Sequence, residues 1–154
     1  MEYTDKFNKA YKLLKSYEGG FVNHKNDPGG KTNFGITESV ARSYGYKGDM
    51  RDLTREEAKE IYYKGFWKEV KLDKVENEDI ATELLEEVVN LGKRIPILNL
   101  QKVYNALSDD EITVDGLMGP ETLGAVNNYR YQDDIYKWLN ILLGCRYWSL
   151  INKN

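Results

Sequence analysis

The 154-residue chain has one histidine, one cysteine and three prolines, and these scarcities exclude several kinds of chemistry at once. A lone Cys145 cannot close a disulfide within the chain, and its neighbours Leu142, Leu143, Tyr147 and Trp148 predict a buried thiol. His24 has no cysteine or carboxylate partners at ligand spacing, so neither a zinc motif nor a Ser-His-Asp arrangement can be assembled. No metal and no cofactor are expected. Positive charge is not in excess either: 22 Lys and Arg stand against 25 Asp and Glu, giving a net charge of -3 with both signs interspersed. That balance argues against a nucleic-acid partner and gives no electrostatic pull toward anionic surfaces. No apolar run reaches about 18 residues, so no membrane-spanning helix and no membrane insertion are expected. The start, Met1 to Lys6, lacks a cationic segment followed by an apolar one, so no signal peptide is visible and synthesis in the cytoplasm is expected. Repeats, low-complexity tracts and interdomain linkers are also missing.

What the chain does contain is aromatic surface and helical periodicity. Twelve tyrosines, three tryptophans and four phenylalanines suit both a core and a sugar-binding cleft, because rings with polar tips serve either. The length predicts a single domain that buries about two-thirds of its unfolded surface. Residues 4 to 17 read as an amphipathic helix ended by Gly19 and Gly20 in the left-handed conformation. Phe21-Val22 and Asn33 to Ile36 read as two short strands around the turn cluster Asn26-Asp27-Pro28-Gly29-Gly30. Thr37 caps a predicted helix to about Tyr44, and Thr54-Arg55-Glu56-Glu57 is a capping box opening another to about Phe66. Further helices are expected from Asn77 to Gly92, Pro96 to Leu107, 120 to 128 and 133 to 151. In the last, Ile135, Trp138, Leu139, Leu142 and Leu143 are expected to face inward. The fold class is mainly α, with a small β-hairpin inserted early.

Glu18 is the leading candidate for chemistry. Phe7, Tyr11, Leu14 and Glu18 recur at helical spacing, so a carboxyl follows three apolar side chains on one face. Partial desolvation there would raise its pKa, which a general acid near neutral pH requires. Asp27 lies nine positions later, in the polar turn cluster, where it would stay ionised. Thr32, five positions beyond, offers a hydroxyl that can position water. Taken singly, each has an ordinary alternative: a helix-end glutamate, a turn-forming aspartate ahead of Pro28, a strand threonine.

The joint pattern is more specific. Tyr17-Glu18-Gly19-Gly20-Phe21-Val22-Asn23 followed by Asn26-Asp27-Pro28-Gly29-Gly30-Lys31-Thr32-Asn33-Phe34-Gly35-Ile36-Thr37 closely resembles the signature of glycoside hydrolase family 108, the N-acetylmuramidases typified by phage endolysins. The resemblance continues through Leu53-Thr54-Arg55-Glu56-Glu57-Ala58, Ile61-Tyr62-Tyr63, Trp67 and Val88-Val89-Asn90, and covers roughly residues 7 to 150. It implies a lysozyme-like α+β fold over residues 1–154, with a catalytic part to about 92 and a helical part from about 93. The helical part carries Asp115-Gly116-Leu117-Met118-Gly119-Pro120-Glu121-Thr122, which resembles a turn of peptidoglycan-binding modules, although turn-forming roles suit these residues well.

The implied activity is hydrolysis of the bond between N-acetylmuramic acid and N-acetylglucosamine in peptidoglycan glycan strands, with the family's essential glutamate falling on Glu18. Asp27 and Thr32 complete the catalytic set, an arrangement also similar to phage-type lysozymes except that Thr32 lies one position closer. Tyr63, Trp67 and Asn90 are candidate substrate contacts, since rings stack on pyranoses and an amide bonds N-acetyl groups; Trp67 beside Phe66 equally suits a core. A monomer is expected, reaching the wall either through holin-dependent release or by delivery through a secretion machine. Two alternatives stay open: a lytic transglycosylase, which needs one acid, and a noncatalytic wall-binding or structural protein.

Overall fold

The computed structural model describes residues 2–15, 19–23 and 30–152. Glu18, Asp27 and His24 lie outside these described residues. The chain divides into two compact units, residues 1–69 and 70–154.

The first unit opens with α1, Asp5–Lys15, whose Phe7, Ala10 and Leu14 are buried at helical spacing. Residues 16–18, over which the sequence places the end of this helix, lie outside the described residues. Gly19 and Gly20 are exposed, with no atom of the described residues within contact distance of an added Cβ. A three-stranded antiparallel sheet follows, β1 Val22–Asn23, β2 Lys31–Asn33 and β3 Ile36–Thr37, in that order. The stretch expected as one strand over 33–36 is thus broken. Phe34 and Gly35 have positive φ of 49° and 73° and turn the chain back on itself, so Asn33 pairs with Ile36.

The next elements follow their caps. Thr37 Oγ1 accepts from Val40 N at 3.3 Å and opens α2, Glu38–Ser43. Thr54 and Glu57 form the expected reciprocal box, 3.2 Å from Glu57 N to Thr54 Oγ1 and 2.8 Å from Thr54 N to Glu57 Oε2, and open α3, Arg55–Ile61. Residues Tyr62–Lys68 then wind as a π-helix, in which the Glu69 N–H reaches back five residues to Lys64 O. This wider winding presents two aromatic rows. Tyr63 and Trp67 both meet Phe7 edge-on, at 4.9 and 5.5 Å between ring centroids, while Tyr62 and Phe66 lie 5.4 Å apart. An added Cβ at Gly65 would sit 2.5 Å from the Tyr44 ring, so a side chain there would have to displace that ring.

The second unit is helical: a 3-10 turn at Leu72–Lys74, then α4 Glu78–Leu91, α5 Arg94–Leu107, α6 Pro120–Asn128 and α7 Gln132–Ile151. Asn77 Oδ1 accepts from Asp79 N and Ile80 N, both at 3.0 Å, and caps α4. Before α6 the chain makes a turn around Gln101 of α5, which is fully buried. Its amide donates to Asp115 Oδ1 at 2.9 Å, Thr122 Oγ1 at 3.0 Å and Leu117 O at 3.2 Å, and its carbonyl oxygen accepts from Gly116 N at 2.8 Å. Gly116 has φ +76° and packs against Arg94, leaving no room for a side chain.

Helix α7 departs from expectation in its facing. Ile135, Leu139 and Leu143 are buried, whereas Trp138, Leu142 and Cys145 are exposed. The helix is apolar on every side, so sequence neighbours could not tell which face turns inward. Among the described residues no helix is long and apolar enough to cross a membrane.

Candidate active site

Thr32 occupies the middle of β2, opposite Val22 of β1 and Thr37 of β3. Side chains alternate across a sheet, so its two neighbours on β2 point the other way. On that other face Asn33 is buried and donates from Nδ2 to Met50 O at 2.7 Å, with Ile36 buried beside it. Thr32 consequently belongs to the half-open face, shared with the exposed Val22, where a hydroxyl can meet solvent or ligand. Of the three catalytic candidates it alone lies among the described residues.

The sheet is flanked by charge. The Arg51 guanidinium lies 5.4 Å from the Phe21 ring, and Arg55 lies 4.9 Å from the Phe34 ring, both in cation-π geometry. Lys31 Nζ stands 3.9 Å from Asp49 Oδ2. The backbone N–H of Arg51, donating to Asp49 at 2.9 Å, together with the Lys31, Arg51 and Arg42 charges, holds the Asp49 carboxyl below the usual range.

The three predicted substrate contacts are placed differently from one another. Tyr63 is half-buried and edge-on to Tyr3 at 5.0 Å as well as to Phe7. Trp67 is fully enclosed in the same aromatic cluster, with its indole N–H buried and without a hydrogen-bond partner among the described residues. Asn90 is an exposed residue near the end of α4 in the second unit. The structure thus brings Tyr63 and Trp67 together around Phe7.

An open depression of about 590 Å³ in the first unit is lined by Tyr44, Tyr46, Asp52, Glu57, Glu60 and Lys64, none of them a predicted site residue. Much of its polar lining is already engaged: Tyr44 donates to Glu69, Lys64 pairs with Glu60, and Glu57 serves the capping box.

Two carboxyls with strongly displaced titration were not singled out by sequence. Glu83 and Glu87 lie four residues apart on α4 and are buried. Among the described residues, Glu87 has both carboxyl oxygens without a hydrogen-bond partner, and Glu83 has one. Burial, reinforced by Glu86 beside Glu83 and by Glu83 beside Glu87, raises both to about 7. Asn140 and Asn99 act in the opposite direction, without closing a well-formed bond to Glu87. Three and seven residues past Ile80, the two glutamates fall on the same side of the helix as its apolar stripe, a signal the sequence did offer, although only the neighbouring elements decide that they are buried. Among the described residues no group of three His, Cys, Asp or Glu side chains could hold a metal ion.

A small antiparallel sheet following a short first helix, and a helical remainder, define a lysozyme-like α+β fold. The chain belongs to glycosyl hydrolase family 108, whose model matches residues 11–92 and so spans every residue singled out for the site. Among solved structures it is similar to SagA of Brucella abortus, with 31% identity and a TM-score of 0.72, over 86% of this chain and 74% of that one. No curated protein matches the chain.

Proposed function

We propose that this glycoside hydrolase is an N-acetylmuramidase that cleaves the β-1,4 bond from N-acetylmuramic acid to N-acetylglucosamine in peptidoglycan. The observation that carries the reading is family membership over 11–92, a segment that contains the Glu18-Gly19-Gly20 motif, Asp27 and Thr32. Thr32, on the half-open face of the sheet, supports it further.

Glu18 acts as the general acid. Its carboxyl proton passes to the glycosidic oxygen, the bond from that oxygen to the anomeric carbon breaks, and the sugar takes on oxocarbenium character. Asp27 accepts a proton from water as the water adds to the opposite face, and the Thr32 hydroxyl orients that water. Inversion at the anomeric carbon follows, with the two carboxyls about 6.5–9.5 Å apart rather than the about 5–5.5 Å of a retaining pair. Tyr63 and Asn90 contribute to binding the glycan, with Trp67 supporting Tyr63 from the aromatic cluster. The enzyme works as a monomer on the cell wall, in the manner of an endolysin released through a holin.

The test is digestion of purified peptidoglycan by the wild type and by Glu18→Gln, with mass analysis of the fragments. The wild type should release hydrolysed muropeptides and Glu18→Gln should release essentially none while keeping its thermal midpoint. Appreciable lysis by Glu18→Gln would remove Glu18 from its role. Fragments short by the mass of one water, bearing 1,6-anhydro ends, would replace hydrolysis by lytic transglycosylation. Wall binding without any soluble product would make the chain a noncatalytic binder.

A further inference from the structure

Tyr62 is fully buried at the start of the π-helix and serves two segments at once. Its ring lies 5.6 Å from that of Tyr11 on α1, and its hydroxyl donates to the Phe34 carbonyl at 3.0 Å. Phe34 is held in a conformation it does not favour. Because Asn33 pairs with Ile36, Phe34 and Gly35 form a two-residue hairpin loop with positive φ at both positions. Such mirror-image turns favour Asn-Gly, and a bulky side chain at the first position is strained by its Cβ. Strain of this kind persists only where surrounding contacts over-determine it, and it gathers at functional sites. Here the contacts are the Tyr62 hydroxyl, the Arg55 guanidinium over the Phe34 ring and the buried bond from Asn33 to Met50.

The turn begins two residues after Thr32 and sets the register of β2 against β3. A slip of one residue would exchange Thr32 with the buried face that Asn33 and Ile36 occupy. Tyr62 also touches the helix after which Glu18 follows in sequence.

We propose that Tyr62 is a positioning residue for glycosidic cleavage: its hydroxyl holds the strained Phe34-Gly35 turn, its ring ties that turn to α1, and Thr32 is thereby kept in catalytic register. This inference rests on the roles proposed above for Glu18 and Thr32.

Tyr62→Phe keeps the ring and its packing and deletes only the hydroxyl. On purified peptidoglycan its kcat should fall roughly tenfold with KM changed less than about twofold, since a misplaced catalytic group weakens the chemical step more than binding. Adding Phe34→Asn supplies the residue this turn favours, so the double variant should regain most of the lost kcat. Amide exchange over residues 31–37 should quicken in Tyr62→Phe and slow again in the double variant. An unchanged kcat in Tyr62→Phe, or a loss that Phe34→Asn leaves in place, overturns the proposal. If Glu18→Gln retains full lysis, the role proposed for Glu18 has failed instead. The exchange measurement still judges Tyr62 in that case, and unaltered exchange in Tyr62→Phe refutes its hold on the turn.

Discussion

Gln101 shows how much one side chain can organise. Its amide engages the Asp115 carboxylate, the Thr122 hydroxyl and the Leu117 carbonyl, while its oxygen takes the Gly116 N–H, so the turn entering α6 is fastened to α5 at four points. The Gln101 amide and the Leu117 N–H, both donating to Asp115, also hold that carboxyl below its usual range. Gln101→Ala would leave a buried N–H and a buried hydroxyl short of partners, and should cost about 2–3 kcal/mol in urea unfolding. A loss below about 0.5 kcal/mol would mean the turn stands without it. The motif from Asp115 to Thr122 was legible in sequence as a turn with a helix start, and it is one, with Pro120 in the first turn of α6. Gln101 as its clasp was not legible, because the bonds span 14 to 21 residues and nothing local marks them. Thr32 is the converse case. It is unremarkable alone and legible only through the motif around it, while its half-open facing came from strand register.

Elements with chemical punctuation were read well from sequence. The Thr37 and Thr54 caps, the Asn77 cap and Pro120 all sit where helices begin, because side-chain bonds to the first N–H groups are local events. Elements judged by apolar pattern alone were read less well. The run Asn33 to Ile36 looks like a strand, but a turn at Phe34-Gly35 splits it, since Tyr62 and Arg55 stabilise a conformation that phenylalanine disfavours. The π-helix over Tyr62–Lys68 carries no sequence mark distinguishing it from the continuation of α3.

In α7, apolar side chains surround the helix and the buried stripe reduces to Ile135, Leu139 and Leu143. The expectation of a buried Cys145 failed for the same reason. Leu139→Ala should therefore cost about 2–5 kcal/mol, and Leu142→Ala, at 36% exposure, under about 1 kcal/mol. Thermal unfolding of the two variants checks the assignment; equal losses would contradict the observed facing.

At the scale of the whole molecule, the Glu83 and Glu87 pair ties stability to pH. Facing them are Glu86 on their own helix, Asn99 on α5, and Asn140 and Tyr147 on α7; the phenol of Tyr147 is itself pushed up by burial and by the three glutamates, against Arg146. Each carboxyl titrates near 7 in the folded chain against 4.5 when unperturbed. The folded state therefore holds protons that the unfolded state releases between pH 4.5 and 7. Stability is greatest below the lower value and falls as pH rises to the upper one, by about 2–3 kcal/mol per carboxyl at most. Glu87→Gln, which cannot ionise, should raise the thermal midpoint at pH 8 by about 3 °C or more and lose that advantage near pH 4.5. A variant less stable than wild type at pH 8 would show that the carboxylate is accommodated ionised.

The sequence alone determined the family, the mainly helical class with a small early sheet, the helix starts and the candidate acids, because each is encoded by residue type at short spacing. Tertiary structure alone decided which face of α7 turns inward, where β2 gives way to a turn, that Gln101 clasps the Asp115 loop, and that α4 buries two carboxyls. These depend on which elements meet. Burial and dielectric are properties of a neighbourhood, and residues far apart in the chain supply it.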